Sequence, residues 1–203
     1  MKVPAETFYG VSGEGRKEIE RMLKQRVKVR SSLHYRQLVA ALWDLPHREE
    51  RYLAISLARM FRAHINRDAL PLYERMIREG AWWDLVDPVA VWLFGGVWQA
   101  ERAAVSRIAD RYIKDDHLWI RRTALTGQLK HKEATDTKRL YRYCLRCAPE
   151  TEFFMRKAIG TALREHARTD PDGVRAFLVE HRSALSGLSF REAARHLRKD
   201  GPL

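Results

Sequence analysis

Apolar residues recur along the chain at the three- and four-residue spacing of amphipathic helices. Ile19, Met22 and Leu23 begin this pattern, and the alternation of apolar and polar residues that marks half-buried strands is rare. Pro46 separates the next two helical stretches, and the Gly95-Gly96 pair is expected to end another. The later stretches run near 69–79, 84–95, 101–113, 117–128, 136–147, 151–168, 171–181 and 189–199. The pattern therefore predicts an all-α chain of about eleven short helices.

The chain also resembles itself at a period that suits a pair of helices. Similar five-residue segments stand 35 residues apart at 120–124, 155–159 and 190–194, and weaker matches continue the register back to 85–89 and 50–54. Separately, Trp43-Asp44-Leu45 recurs as Trp83-Asp84-Leu85, at an offset of 40. Periods of this size are typical of α-solenoids. We therefore expect residues 1–203 to form one domain, a right-handed α-solenoid of HEAT-like repeats.

In such an array, equivalent positions of successive repeats lie along one surface. The register places five side chains on that line, namely Tyr52, Asp87, Arg122, Lys157 and Glu192. If the surface is the concave one, it carries two cations beside a carboxylate and can follow a phosphate backbone by charge and shape. The alternative is that these residues are solvated helix positions without a shared role.

Composition indicates a polyanionic partner. Lys and Arg number 38 against 26 Asp and Glu, which gives a formal net charge of +12 and a pI near 10.0. Nucleic acid is the usual partner of so basic a chain, and an anionic membrane surface is the rival. No apolar run is long enough to span a membrane, and no secretory signal is evident.

The two cysteines suggest neither a disulfide framework nor a redox motif. Cys144 and Cys147 form a C-x-x-C without a second pair or suitably spaced histidines, so packing thiols are the better interpretation. No glycine-rich phosphate loop is present. We expect a cytoplasmic protein without a metal or a cofactor.

Six blocks of sequence give the chain a family resemblance. They extend over roughly residues 5 to 198 and comprise Leu42-Trp43-Asp44-Leu45-Pro46, Trp82-Trp83-Asp84-Leu85-Val86-Asp87, Leu118-Trp119-Ile120-Arg121-Arg122, Phe153-Phe154-Met155-Arg156-Lys157-Ala158-Ile159-Gly160, Leu163-Arg164-Glu165 and Leu188-Ser189-Phe190-Arg191-Glu192-Ala193. In order and spacing the chain resembles the AlkD-like DNA alkylation repair proteins, which are HEAT-like DNA glycosylases.

The resemblance implies hydrolysis of the N-glycosidic bond of N3- or N7-alkylated purines in double-stranded DNA. Separately, we expect a monomer. It assigns Asp87 to stabilise the positive charge that develops on the deoxyribose and Trp83 to pack on the lesion's sugar or backbone. Since Trp83 lies four residues before Asp87, the two share a helix face. The remaining DNA-binding candidates are Arg121, Arg122, Arg156, Lys157, Arg164 and Thr161. The five basic residues among them could instead be ordinary solvated positions.

Two departures favour an alternative function. Thr161 stands where active members carry a second DNA-facing Trp, and we expect the N-terminal helix of the family to be missing. A non-catalytic protein that recognises distorted or branched DNA is therefore the alternative, and a protein-interaction scaffold is a third possibility. Asp87 could also be a helix N-cap, since Pro88 follows it, and Asp84 could be the cap instead.

Overall fold

The computed structural model describes residues 7–197, and these residues form twelve α-helices with no strand among them. The all-α prediction is confirmed. Packing divides the chain after Val89 into two compact units, each described here by itself. The last predicted stretch, 189–199, extends two residues beyond the described ones. That the chain is a single HEAT-like domain stays a prediction.

The first unit is built from five helices. They are α1 Gly13–Arg26, α2 Ser32–Trp43, α3 Arg48–Met60, α4 Leu70–Gly80 and α5 Trp83–Pro88. Helix α3 packs on both α1 and α5, while α2 packs on α3 and α4. The ends are set locally: the Ser12 and Ser31 side chains accept from backbone N–H groups of α1 and α2, and His47 with Glu50 forms a capping box at α3.

Three buried aromatic residues join the helices of this unit. Tyr35 and Tyr73 lie with their hydroxyl oxygens 2.8 Å apart, and the Tyr35 hydroxyl is also 3.2 Å from the Ala58 carbonyl. Trp43 is fully buried and donates to Glu79 over 2.7 Å. The side-chain polar atoms of these three residues therefore each find a partner, as burial requires.

The second unit contains seven helices. They are α6 Gly95–Ala100, α7 Arg102–Tyr112, α8 Leu118–Thr126, α9 Thr137–Cys147, α10 Phe153–His166, α11 Pro171–Glu180 and α12 Gly187–Ala193. Helix α10 lies between α8 and α12 and packs on both, and it also contacts α9 and α11. Within this unit, the segments at 120–124, 155–159 and 190–194 thus lie on three helices of one row, as their 35-residue period predicts.

Two details of the sequence interpretation are wrong. Gly95-Gly96 does not end a helix, because Gly95 begins α6 directly after a π-helix at Val89–Phe94. A Cβ on Gly95 would lie 2.2 Å from the carbonyl oxygen of Gly127, so close backbone packing explains this glycine. The two Trp-Asp-Leu segments are also not equivalent: Trp43 ends α2 in the core, whereas Trp83 begins α5 at the surface.

Candidate functional site

Helix α5 is a short helix that packs on α3 and α4 with one of its sides. It follows Ala81, whose φ of 39° lies in the left-handed region, and Trp82, whose backbone is extended. A left-handed alanine costs of the order of 1 kcal/mol and such residues cluster at functional sites. Leu85 and Val86 are fully buried against the first unit, which leaves the opposite side of α5 at the surface.

Trp83 and Asp87 occupy that outward side. The Trp83 side chain is 49% exposed, although large aromatic side chains are usually buried, and Asp87 is half-buried one turn further on. Residues four apart on a helix are neighbours on one face. Asp87 is the fifth residue of α5, so the N-cap interpretation of Asp87 is wrong. Asp84 is not the cap either, since Trp82 holds that position.

Asp84 is instead engaged by two side chains of α3. One of its carboxylate oxygens accepts from Arg48 Nη2 at 2.5 Å and the other from the Tyr52 hydroxyl at 2.6 Å. Burial and the hydrogen bond to Asp84 raise the pKa of Tyr52, so its hydroxyl remains a donor. These bonds fix the rotation of α5 against α3, and through it the direction in which Trp83 and Asp87 face.

A groove of about 420 Å³ lies beside α5 within the first unit. Its lining residues are Arg16, Glu20, Tyr52, Ile55, Ser56, Arg59, Asp84 and Pro88. The Arg16 guanidinium lies over the Tyr52 ring, 5.0 Å from its centroid, and burial together with nearby Arg62 lowers the pKa of Arg59. Sequence reasoning did not identify Arg16 or Arg48 as part of this region, whereas Tyr52 stood on the 35-residue register.

Pro88 is the last residue of α5, and the helical backbone continues beyond it. A proline there lacks the N–H that would bond to the carbonyl of Asp84, and its ring crowds that carbonyl. The π-helix at Val89–Phe94 begins at the next residue. Such wide turns are rare and occur often at functional sites.

In the second unit, the two predicted arginines of α8 are both engaged in local contacts. Arg121 makes a two-point ion pair with Glu150, at 2.7 and 3.1 Å, and donates to two backbone carbonyls. Arg122 is only 5% exposed, and its Nη1 donates to the Phe154 carbonyl of α10 over 2.6 Å. Both arginines thus connect α8 to the segment around α10.

The predicted residues of α10 share one carboxylate. Lys157 Nζ lies 2.9 Å from Glu192 on α12, and Arg164 lies 2.5 Å from the second oxygen of the same group. Thr161, half-buried, lies one turn after Lys157, so the structure brings these three α10 positions together. The hydrogen bond from Lys157 holds the pKa of Glu192 below its usual range. Arg156 turns elsewhere and donates to the Glu150 carbonyl.

The described residues offer neither a membrane span nor a metal centre. No helix within 7–197 is long and apolar enough to cross a membrane. Nor does any group of three His, Cys, Asp or Glu side chains in that range come together as metal ligands would. Cys144 and Cys147 are buried free thiols of α9, and burial raises the pKa of both.

A family model and solved structures are similar to this chain. The family model described as DNA alkylation repair enzyme matches residues 1–197. A predicted DNA alkylation repair enzyme from Enterococcus faecalis is similar over 95% of this chain and 89% of its own, with 28% identity and a TM-score of 0.85. AlkD2 from Streptococcus mutans has the same fold over 94% of this chain and 93% of its own, with 18% identity and a TM-score of 0.68. No curated protein matches the chain.

Proposed function

The chain belongs to the DNA alkylation repair enzyme family, which supports a role in DNA repair, and we propose that it hydrolyses the N-glycosidic bond of N3- and N7-alkylated purines in double-stranded DNA. Alkylation at these nitrogens makes the purine cationic, so it leaves readily without a general acid. What the reaction requires is stabilisation of a deoxyribose that becomes oxocarbenium-like as the bond breaks. A fixed carboxylate supplies that field and can position the attacking water.

Asp87 is the carboxylate to which we assign this role. The observation that carries the proposal is its position one helical turn after the half-exposed Trp83, on the outward side of a helix that is fixed from behind. Both oxygens of the neighbouring Asp84 already accept strong hydrogen bonds from Arg48 and Tyr52. These bonds hold α5 against α3, so we assign Asp84 the role of positioning the helix that carries Asp87.

Trp83 is assigned to pack against the sugar or backbone of the modified nucleotide. A flat indole offers a large contact area at a small entropic cost, and its half-exposed position gives it that face. Lys157, Arg164 and Thr161 on α10 are then proposed contacts to the phosphate backbone. Arg121, Arg122 and Arg156 complete the set, on the condition that DNA competes with their present partners. We expect the protein to act as a monomer, which sedimentation with one duplex tests.

The experiment is release of the modified base from duplex DNA that carries 7-methylguanine or 3-methyladenine, with enzyme in excess. Asp87→Asn keeps the shape and removes the charge, so we expect a loss of about 100- to 1000-fold in the single-turnover rate, the size typical for a preorganised electrostatic group. DNA binding should be retained. Asp172→Asn removes the same charge from an exposed position on α11 and is the matched control. No release by the wild type, or equal release by Asp87→Asn, contradicts the assignment.

Thr161 and Arg122 supply the observations that favour a second candidate, binding of distorted DNA without excision. Thr161 offers no flat face on α10, and Arg122 is buried against Phe154 rather than presented to solvent. Gel-shift competition between linear and four-way-junction DNA separates the two functions. Preference for the junction, together with no base release, would favour binding alone.

A further inference from the structure

Helices α7 and α9 of the second unit carry two stripes of exposed basic side chains that the proposed reaction does not use. The spacing of three and four residues places each stripe along one helix face. The six exposed residues are Arg107, Arg111 and Lys114 on and just after α7, and Lys138, Arg142 and Arg146 on α9. We call this set the α7–α9 surface.

Side-chain bonds hold the two stripes beside each other. Asp110 of α7 accepts from three residues of α9: Arg142, Tyr143 at 2.7 Å, and Arg139 at 3.0 and 3.1 Å. Further along, Arg146 Nε lies 3.3 Å from the Ile113 carbonyl. The cations of α7 and α9 therefore form one patch rather than two separate helix faces.

The basic side chains of the patch outnumber the acidic side chains that could neutralise them. Residues 102–114 and 136–147 together contain eight basic and two acidic side chains, a net charge of +6, which is half of the chain's +12. Both acidic residues, Asp110 and Asp136, are bound by Arg139. Among residues 7–197, no hydrogen bond or ion pair involves the side chains of Arg107, Arg111, Lys114 and Lys138. By contrast, Lys157 and Arg164 on α10 already share Glu192.

The chemistry of the patch fits duplex DNA better than a membrane. The large apolar side chains that are exposed among the described residues lie elsewhere, so nothing on α7 or α9 could anchor in a lipid interface. Each stripe of three cations extends over roughly 10–12 Å, at 1.5 Å per helical residue. A duplex presents about six phosphates over that length, one per roughly 1.7 Å. A row of cations without apolar anchors meets such a partner by charge alone.

We propose that the α7–α9 surface is a second DNA-binding surface, which holds a duplex segment other than the one whose base is excised. The two surfaces belong to different helices of the second unit, since the DNA-binding candidates of the repair reaction lie on α8 and α10 and these cations on α7 and α9. One protein molecule then bridges two duplexes. This inference goes beyond the excision reaction and does not require it.

The test is energy transfer between two short duplexes, one with a donor and one with an acceptor, mixed with the protein at low salt. The variant Arg107→Gln/Arg111→Gln/Lys114→Gln/Lys138→Gln removes the four unpaired cations. We expect bridging by the wild type and its loss in this variant, with base release unchanged. Each lost phosphate contact should also lower the slope of log Kobs against log salt by about 0.9, so four lost contacts should lower the slope for undamaged duplex by about 3.6.

The matched control is Lys17→Gln/Arg21→Gln/Lys24→Gln/Arg26→Gln, which removes two lysines and two arginines from exposed positions on α1. Bridging should survive there. No bridging by the wild type, bridging kept by the α7–α9 variant, or an equal loss in the α1 control overturns the proposal. The proposal is also overturned if the wild type does not bridge duplexes and the α7–α9 variant loses binding to phosphatidylserine vesicles, since the partner is then a membrane.

A smaller variant covers the case of misfolding, and one combination of results separates this proposal from the excision proposal. If the fourfold variant unfolds, the double variant Arg107→Gln/Lys138→Gln is used, with an expected slope change of about 2. If the wild type bridges duplexes but releases no modified base, the excision proposal fails and the second surface stands.

Discussion

Helix α12 passes so close to α10 at Gly160 that there is no room for a side chain. A Cβ on Gly160 would lie 2.4 Å from the Cβ of Glu192 and 2.9 Å from the Ser189 carbonyl oxygen. Nonbonded carbons prefer about 3.5–4.0 Å, so the first contact is too short by more than 1 Å. Neither atom is the free end of a flexible chain, so Gly160→Ala must move α12 as a whole. Overpacking of this kind costs about 1–3 kcal/mol, and we expect that loss of stability.

Gly187→Ala is the matched control, because it makes the same chemical change in a place with room. Only the guanidinium end of Arg191 lies near the new methyl group there, and it can turn away. Removing a glycine from this first position of α12 should stabilise the protein by about 0.4–1 kcal/mol. Denaturant titration followed by circular dichroism measures both changes. Equal stability of Gly160→Ala and the wild type, or equal losses in the two variants, would refute the close-packing argument.

Three further predictions concern single side chains. Tyr52→Phe removes two hydrogen bonds, the one donated to Asp84 and the one accepted from Arg48, and should cost about 1–3 kcal/mol in the same titration, so an unchanged midpoint would contradict these contacts. The hydrogen bond from Arg139 lowers the pKa of Asp110 below its ordinary 3.8. The Asp110 carboxylate therefore stabilises the fold above that value and ceases to do so as the pH falls through its folded pKa. Asp110→Asn should be less stable than the wild type at pH 7, the difference should close in acid, and a difference independent of pH would be inconsistent with this contact. Burial raises the pKa of Cys147 to about 12, so a thiol reagent should modify it only after unfolding, and rapid modification of the native protein would exclude that.

The helical character and part of the repeat could be predicted because both depend on local periodicity. Apolar spacing alone anticipates helices such as α7 and α9 to within a residue or two, and Lys157 and Glu192, 35 residues apart, do meet in an ion pair. The exposure of Trp83 also followed the family resemblance, which favoured it over its neighbour Trp82. The helix bounds and the repeat required only the position of a residue along its helix, and the Trp83 prediction required only the family resemblance.

The partners of the charged residues could not be predicted, because they depend on which helices meet and on how far long side chains reach. Arg48 and Asp84 are 36 residues apart and become neighbours only when α3 packs on α5. Helical periodicity did not show whether Arg122 is exposed or buried. In the structure it is buried, because α10 packs on α8 and the Phe154 carbonyl accepts its hydrogen bond. Gly95 looked like a helix breaker, since nothing in the sequence announces the approach of the Gly127 carbonyl.

Pairing inside the protein has a consequence for how DNA can bind to the second unit. A phosphate that approaches Lys157 or Arg164 must compete with Glu192, which is charged at neutral pH and whose pKa the hydrogen bond from Lys157 lowers further. The net gain of such a contact is the difference between two ion pairs, whereas a phosphate at Arg107 or Lys138 displaces only water and counterions. Charge alone therefore favours DNA on α7 and α9. Under the proposed function, binding at α10 would then be selected by shape and by the distorted nucleotide itself, which is the discrimination that a repair protein needs.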